Sequence, residues 1–409
     1  MPRNVAIVGA SAAGLTAAEA LRRRGYDGAL TLIGDETHLP YDRPPLSKQV
    51  LAGTWKPEKV LLRDEQALAS LDATLLLGQS ATALDITARR VQLGGGGTVG
   101  YDALVIATGV TPRRLPGTDL AGIHLLRTLD DTLALRAHLL TGPKVVVVGA
   151  GFLGAEAAAA ARQMSLDVTL VDPAPVPMHR QFGSRIGGLI AELHRDHGAV
   201  VRCGVGVSRF VAAEGRVVAV ELDDSSLLEA DLVLVAVGSA PATGWLDGSG
   251  LPLGNGVECD DRCQAAPGIY AAGDVACWYN PLFETRMRLE HRMNATEQAI
   301  AVAGNLLGDD KPFAPLPFFW TDQYDTKIQA YGIFPPDAES RIISGDVGDR
   351  KFVAAFGHYD TVTGVLGWNC SPRELRALRQ LVTGHAPWPA ATGPFPPLST
   401  AARTSAERI

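Results

Sequence analysis

Two glycine-rich turns of one type constrain this chain more than any other feature. The first is Val5-Ala6-Ile7-Val8-Gly9-Ala10-Ser11-Ala12-Ala13-Gly14, and the second is Val145-Val146-Val147-Val148-Gly149-Ala150-Gly151-Phe152-Leu153-Gly154. Each sits between a β-branched run and an Ala/Leu-rich helical pattern. A strand, a tight turn and a helix in that order make a nucleotide cradle. The turn lets backbone approach a pyrophosphate, and the helix N-terminus offers it unpaired N–H groups and a positive dipole end. One such turn is weak evidence. Two in order imply two dinucleotides on one chain, and the simplest reason to hold two is to pass electrons between them.

Each turn has its acid. The run Leu30-Thr31-Leu32-Ile33 ends in Gly34-Asp35-Glu36, and Val168-Thr169-Leu170-Val171 ends in Asp172. A carboxylate at that strand end, about 20 residues beyond the turn, accepts hydrogen bonds from ribose hydroxyls. A solvated strand end is the bland reading of either acid alone, and it loses weight when both are found together. Ser11 replaces the middle glycine of the first turn and is small enough to let a phosphate approach.

A chain of 409 residues predicts roughly two to four domains. Its 46% apolar and 20% charged content is that of an ordinary soluble globular protein. No apolar run approaches a bilayer span, and the basic start at Arg3 leads into a first strand rather than a secretory signal. The net charge of −7 argues against a general nucleic-acid binder. Cys203, Cys259, Cys263, Cys277 and Cys370 form no CxxC pair and no zinc or iron–sulfur ligand set, and their odd number points to a reducing cytoplasm.

Along the chain, Tyr41 to Lys48 is too proline-rich to continue a helix. Residues 87–101 predict a hairpin with Gly94 to Gly97 as its loop. Leu104-Val105-Ile106-Ala107-Thr108-Gly109 reads as a buried parallel strand ending at a glycine, and Leu232 to Gly238 repeats that form. So does Gly268 to Asp274, followed by a helix over Asn294 to Leu307. The repeats predict an α/β fold in which a second Rossmann-like unit (113–243) is inserted in a first (1–112 and 244–322). Beyond lies a separate α+β domain (323–409), with strands over Lys327 to Phe334, Arg341 to Gly345 and Lys351 to Tyr359 and one helix over Pro372 to Val382. The Pro/Ala/Ser/Thr-rich tail from Ala390 predicts poor order.

Five segments are more selective than the turns: Arg43-Pro44-Pro45-Leu46-Ser47-Lys48, Leu126-Arg127-Thr128, Ala272-Gly273-Asp274, Glu290 to Gln298, and Trp320-Thr321-Asp322-Gln323-Tyr324. With them the chain resembles the two-dinucleotide flavoprotein reductases, and among these the oxygenase-coupled ferredoxin reductases of the putidaredoxin reductase family. The resemblance covers nearly the whole sequence. It implies a glutathione-reductase-like fold with FAD-binding, NAD-binding and C-terminal interface domains, in that order of the units above. It also implies an activity: hydride from NADH to FAD, then single electrons to a small acidic 2Fe–2S ferredoxin that serves a cytochrome P450 or a ring-hydroxylating dioxygenase. No nucleic acid or membrane is implied, and the protein is expected as a monomer or weak dimer.

Matched by position, FAD is expected at Gly9, Ala13, Gly14, Asp35, Arg43, Lys48, Ala81, Arg127, Asp274, Arg292 and Trp320, with Arg292 acting mainly through backbone. NAD is expected at Gly149, Gly151, Phe152, Gly154, Glu156, Asp172 and Gly238. Asp274 is expected at the start of the following helix, holding ribityl or phosphate oxygens, or else as a plain cap. Lys48, Glu156 and Trp320 are the residues expected to act on the chemistry. A lone lysine is ordinarily a solvated charge. The resemblance instead puts Lys48 under the flavin ring beside Glu156, where a cation stabilises the anionic reduced flavin. Phe152 reads either as an aromatic that covers the flavin or as a core residue. Trp320 reads either as a residue at the flavin edge or as part of a domain boundary. Arg286, Arg288, Arg292 and Lys327 are candidates for a basic docking patch.

Residues 41–48 hold no cysteine. Disulfide and peroxide reductases of this architecture carry redox cysteines there, so electrons reaching FAD here must leave directly. Two alternatives stay open: reduction of a quinone, oxygen or ascorbyl radical, and a redox-signalling flavoprotein resembling apoptosis-inducing factor.

Overall fold

The computed structural model describes residues 1–388, and the expected tail from Ala390 lies outside the described residues. The first sheet runs in the order Gln264–Ala266, Ile269–Ala271, Ala103–Ile106, Asn4–Val8, Ala29–Gly34 and Thr74–Leu77, parallel except at its first strand. Beyond Asn4 its central strands are apolar, because the paired helices Ala12–Arg23 and Arg292–Leu306 pack on the sheet and a three-stranded side sheet over 81–100 shares the same core. The second sheet is fully parallel: Val200–Cys203, Val168–Asp172, Val145–Val148, Leu232–Val235 and Ile123–His124. In both sheets the glycine-turn strand lies between its acid-bearing neighbour and a strand from the end of its unit.

Strands of the first sheet come from both sides of the second unit, so the chain leaves one sheet and returns to it. An antiparallel ribbon, Val110–Pro112 with Ser239–Pro241, carries both crossings. Thr108 Oγ1 ties them by donating to the Ala242 carbonyl at 2.9 Å. The three-stranded side sheet Ala81–Asp85, Arg90–Leu93 and Thr98–Gly100 contains the expected hairpin and adds a strand before it.

The third sheet is antiparallel, in the order Phe318–Gln323, Thr326–Gly332, Thr361–Trp368, Lys351–His358 and Glu339–Asp346. Three expectations need correction here. Phe318–Gln323 pairs from Phe318↔Tyr331 to Gln323↔Thr326, so this unit begins ahead of the boundary expected at 322/323, just past Pro315 and Pro317. Thr361–Trp368 was not anticipated. Its Gly364 and Gly367 mask the strand pattern, and at Gly364 a Cβ would lie 2.7 Å from Phe334, so close packing excludes a side chain. The single helix expected over Pro372 to Val382 is two, Pro372–Ala377 and Arg379–Thr383, joined at Leu378.

An aromatic cluster of Phe182, Phe319, Phe334 and Phe356 locks the second unit's segment His179–Asp196, helical on both sides of a kink at Gly183, onto the third sheet. No helix among the described residues is long and apolar enough to cross a membrane.

Candidate two-dinucleotide site

The two cradles match position by position. Gly9 has φ +112°, and a Cβ there would lie 2.1 Å from the Ala107 carbonyl oxygen; Gly149 has φ +105° and the corresponding 2.3 Å to Ala236. A Cβ on Gly14 or Gly154 would lie 1.8 Å from the carbonyl oxygen of Gly9 or Gly149. Only glycine fits either the dihedral or the close approach of helix to turn. At Gly151 a Cβ would meet nothing, so the space in front of the second turn is open.

Both helices that follow, Ala12–Arg23 and Phe152–Gln163, lack a side-chain cap and have no acid in the first turn. The Leu129–Leu139 helix, by contrast, closes its N-terminus with a Thr128/Asp131 capping box. Uncapped amides at a glycine turn are free for an anion.

A cleft of about 180 Å³, open to solvent, lies in front of the first turn, walled in part by Gly9, Asp35, Arg43, Ala81 and Arg127. Ser11 lines it as well, and so does Trp245, which the sequence reading did not single out. Trp245 Nε1 is buried without a hydrogen-bond partner. Ala13 lies behind the turn, where a Cβ on Gly273 would come 3.0 Å from its own Cβ. Arg43 braces the wall: it donates to Glu36 Oε1 at 2.6 Å and to the Tyr41 hydroxyl and Arg127 carbonyl at 2.9 Å each.

Asp274 departs from expectation. It lies in a single 3₁₀ turn, Gly273–Val275, that runs into the strand Ala276–Asn280; the helix starts only at Arg292. Asp274 is therefore neither the start of that helix nor its cap. The turn still packs on that helix, with Gly273 N donating to Gln298 Oε1 at 2.9 Å. Burial pushes the Asp274 carboxyl up against the opposing pull of Arg127, and burial likewise draws the Arg127 guanidinium down. Their own contact is long, 3.4 Å. A cleft lined by Arg127, whose contact with the acid behind it is long, and by an orphan indole N–H, in front of a turn with uncapped helix amides, fits a polar, phosphate-bearing cofactor such as FAD.

Where the three units meet, Lys48 Nζ donates to Glu156 Oε2 at 2.7 Å, Ser47 Oγ to the same oxygen at 2.6 Å, and Thr321 Oγ1 to Oε1 at 2.8 Å. The expected Lys48–Glu156 pair is thus formed; Ser47 and Thr321 were missed, although both lie in segments the resemblance singles out. Trp320 is half-exposed on the opposite face of its strand and stacks on Phe318 with centroids 6.0 Å apart. Phe152 is half-buried and sits edge-on to Phe182 and Phe319, at 5.9 and 5.4 Å, a packing that leaves both of its readings standing.

In the second cradle the Asp172 carboxylate is held by two amides, Ala150 N at 2.7 Å and Ala174 N at 2.8 Å. That orients it at the mouth of the turn and leaves its remaining lone pairs free. Gly238, at φ +95°, borders the same crossing with open space before it.

The expected basic patch is smaller than the sequence suggested. Arg288 donates to Glu290 at 2.7 Å and to the Asp274 carbonyl at 3.0 Å, and Arg292 is turned onto Asp42 and Thr296. Only Arg286 and Lys327 of the four are exposed.

The chain matches the family of the pyridine nucleotide-disulphide oxidoreductases over residues 3–299 and the reductase C-terminal family over residues 318–393. It is similar to rhodocoxin reductase of Rhodococcus erythropolis, 35% identical over 387 residues that cover 94% of this chain and 90% of that protein. It is also similar to the benzene 1,2-dioxygenase system ferredoxin–NAD(+) reductase subunit of Pseudomonas putida, 40% identical over 337 residues, 81% of each chain. A crystal structure of a covalent putidaredoxin reductase–putidaredoxin complex aligns with a TM-score of 0.89 at 33% identity, covering 94% of both chains.

Proposed function

The chain belongs to the pyridine nucleotide-disulphide oxidoreductase family, and from that premise we propose that it is an FAD-dependent NADH:ferredoxin oxidoreductase serving a cytochrome P450 or dioxygenase in the cytoplasm. The observation that carries this reading is the pair of matching cradles, joined at a Lys48–Glu156 contact on a segment with no thiol. The relatives' names support a ferredoxin as acceptor. We assign FAD to 1–112 and 244–317, NADH to 113–243, and the partner-facing unit to the residues from 318 onward.

FAD, when bound, supplies hydride acceptance and single-electron release. The protein supplies position and charge. Gly9 and Gly14 bring the helix amides to the pyrophosphate, and Asp35 accepts from ribose. Ala81, Arg43, Arg127, Asp274 and the backbone at Arg292 complete the wall. Gly149, Gly151, Gly154 and Gly238 do the same for NADH. Lys48 holds positive charge where the units meet, and removing either member of so enclosed a pair leaves an uncompensated charge. Trp320 offers an aromatic face on the side where a small partner docks.

Asp172 sets the coenzyme. Its oriented carboxylate accepts from a 2′-hydroxyl and repels a 2′-phosphate, and Pro173-Ala174-Pro175 supplies no cation. NADH should therefore exceed NADPH in kcat/KM by at least about 100-fold, or roughly 2.7 kcal/mol. Steady-state kinetics that favour NADPH would remove this assignment. The function itself is tested by NADH-driven cytochrome c reduction, which should depend on added 2Fe–2S ferredoxin.

A further inference from the structure

Glu156 ends a buried hydrogen-bonded chain that crosses all three units. Beyond Thr321, whose hydroxyl meets Glu156 Oε1, Gln323 Nε2 lies 3.2 Å from Thr321 Oγ1. His194 Nε2 lies 3.0 Å from Gln323 Oε1, and Tyr324 Oη lies 3.0 Å from His194 Nδ1. Exposure is 6% at Glu156, 1% at Thr321 and Gln323, and 0% at His194. Lys48 belongs to the first unit, Glu156 and His194 to the second, and Thr321, Gln323 and Tyr324 to the third.

The carboxylate fixes the direction of every link. Paired with Lys48, it only accepts, so Thr321 gives it the one hydroxyl hydrogen it has and must accept from Gln323. Gln323 then turns its NH₂ toward Thr321 and its carbonyl toward His194, which donates from Nε2. Burial draws His194 down to about 4, so the ring is neutral near pH 7 and its Nδ1 accepts the Tyr324 hydroxyl. All donors point toward Glu156, and hydrogen bonds aligned this way polarise one another. The Gln323 amide interrupts proton conduction, so the chain holds groups in place rather than moving protons.

We propose that Thr321, Gln323 and His194 are positioning residues for hydride transfer, holding the Glu156 carboxylate and through it the Lys48 ammonium. The proposal rests on the reading of Lys48 as the cation at the flavin. A Glu carboxylate turns in a broad torsional well. Without the Thr321 donor, Oε1 loses its anchor on the third unit, and the carboxylate, held only at Oε2 by Ser47 and Lys48, is free to turn and shift Lys48 with it. The same strand turns Trp320 and Asp322 to its other face, so one element carries both the inner relay and part of the outer surface.

The test uses the FAD-loaded protein. Thr321→Val should slow flavin reduction by NADH about tenfold, and Thr321→Ser should recover to within about twofold of wild type. The flavin midpoint potential, measured without NADH, should move in Thr321→Val in the same direction as in Lys48→Ala. Because Thr321 acts through Lys48, the Lys48→Ala/Thr321→Val double variant should reduce within about twofold of Lys48→Ala alone. Should Thr321→Val not retain FAD, Gln323→Met keeps the hydroxyl, removes the link behind it, and should show the same non-additivity. Multiplying effects in the double variant, no recovery in Thr321→Ser, or wild-type rate and potential in Thr321→Val each overturn the relay. Wild-type behaviour in Lys48→Ala overturns instead the reading of Lys48 beneath it.

Discussion

Gly9→Ala should yield a protein that is purified almost free of flavin. At φ +112° an L-residue is strained whatever the space, and here the new Cβ would also lie 2.1 Å from the Ala107 carbonyl oxygen. That oxygen belongs to backbone just beyond the central strand Ala103–Ile106, so it cannot swing away as a flexible side chain would. The strained dihedral alone costs on the order of 1–3 kcal/mol, and relieving the contact pushes the turn into the space the pyrophosphate needs. Visible absorbance per mole of purified protein measures the outcome. A stoichiometric flavin content in Gly9→Ala would show that the first turn is not the cradle.

Gly151→Val should leave the fold and its flavin intact and still abolish reduction by NADH, lowering kcat/KM by at least about 100-fold, or roughly 2.7 kcal/mol of transition-state stabilisation. Gly151 has φ −74° and ψ −171°, an extended conformation open to any residue, and nothing lies within 4 Å of an added Cβ. The protein loses no more than an N-cap preference, about 1 kcal/mol. The valine instead fills the space through which a second pyrophosphate reaches the helix amides. Dithionite should still bleach the flavin, and the thermal midpoint should shift by only a few degrees. Unchanged reduction by NADH would mean that the coenzyme enters elsewhere.

Much of this site was legible in the sequence, for a physical reason. A glycine turn, a helix start and a strand-end acid are local, and their chemistry is carried by residues a few positions apart. The Lys48–Glu156 pair was legible only through family resemblance, since its members are 108 residues apart. Charge partners that distant cannot be read from one chain, which is why Arg288 and Arg292 looked available for docking while Glu290 and Asp42 hold them. The relay through Thr321, Gln323 and His194 escaped because neutral polar residues have no sequence signature of their own. A signal did exist: in the strand Phe318–Gln323, buried and half-exposed positions alternate, and two of the three buried ones are polar. A polar residue on the buried face of a strand needs a partner. Asp274 was misplaced because its Gly-Asp pair resembles a helix start, whereas the chain turns there into another strand before the helix begins.

In the proposed reaction hydride enters from NADH and leaves as single electrons to an iron–sulfur carrier. Anaerobic stopped-flow tests it directly by mixing the protein with NADH and then mixing the reduced protein with a 2Fe–2S ferredoxin, a quinone or oxygen. NADH should bleach the flavin rapidly, and the ferredoxin should reoxidise it at least about tenfold faster than the other two acceptors. Equal or faster reoxidation by quinone or oxygen, or no electron transfer to any 2Fe–2S ferredoxin, would contradict it.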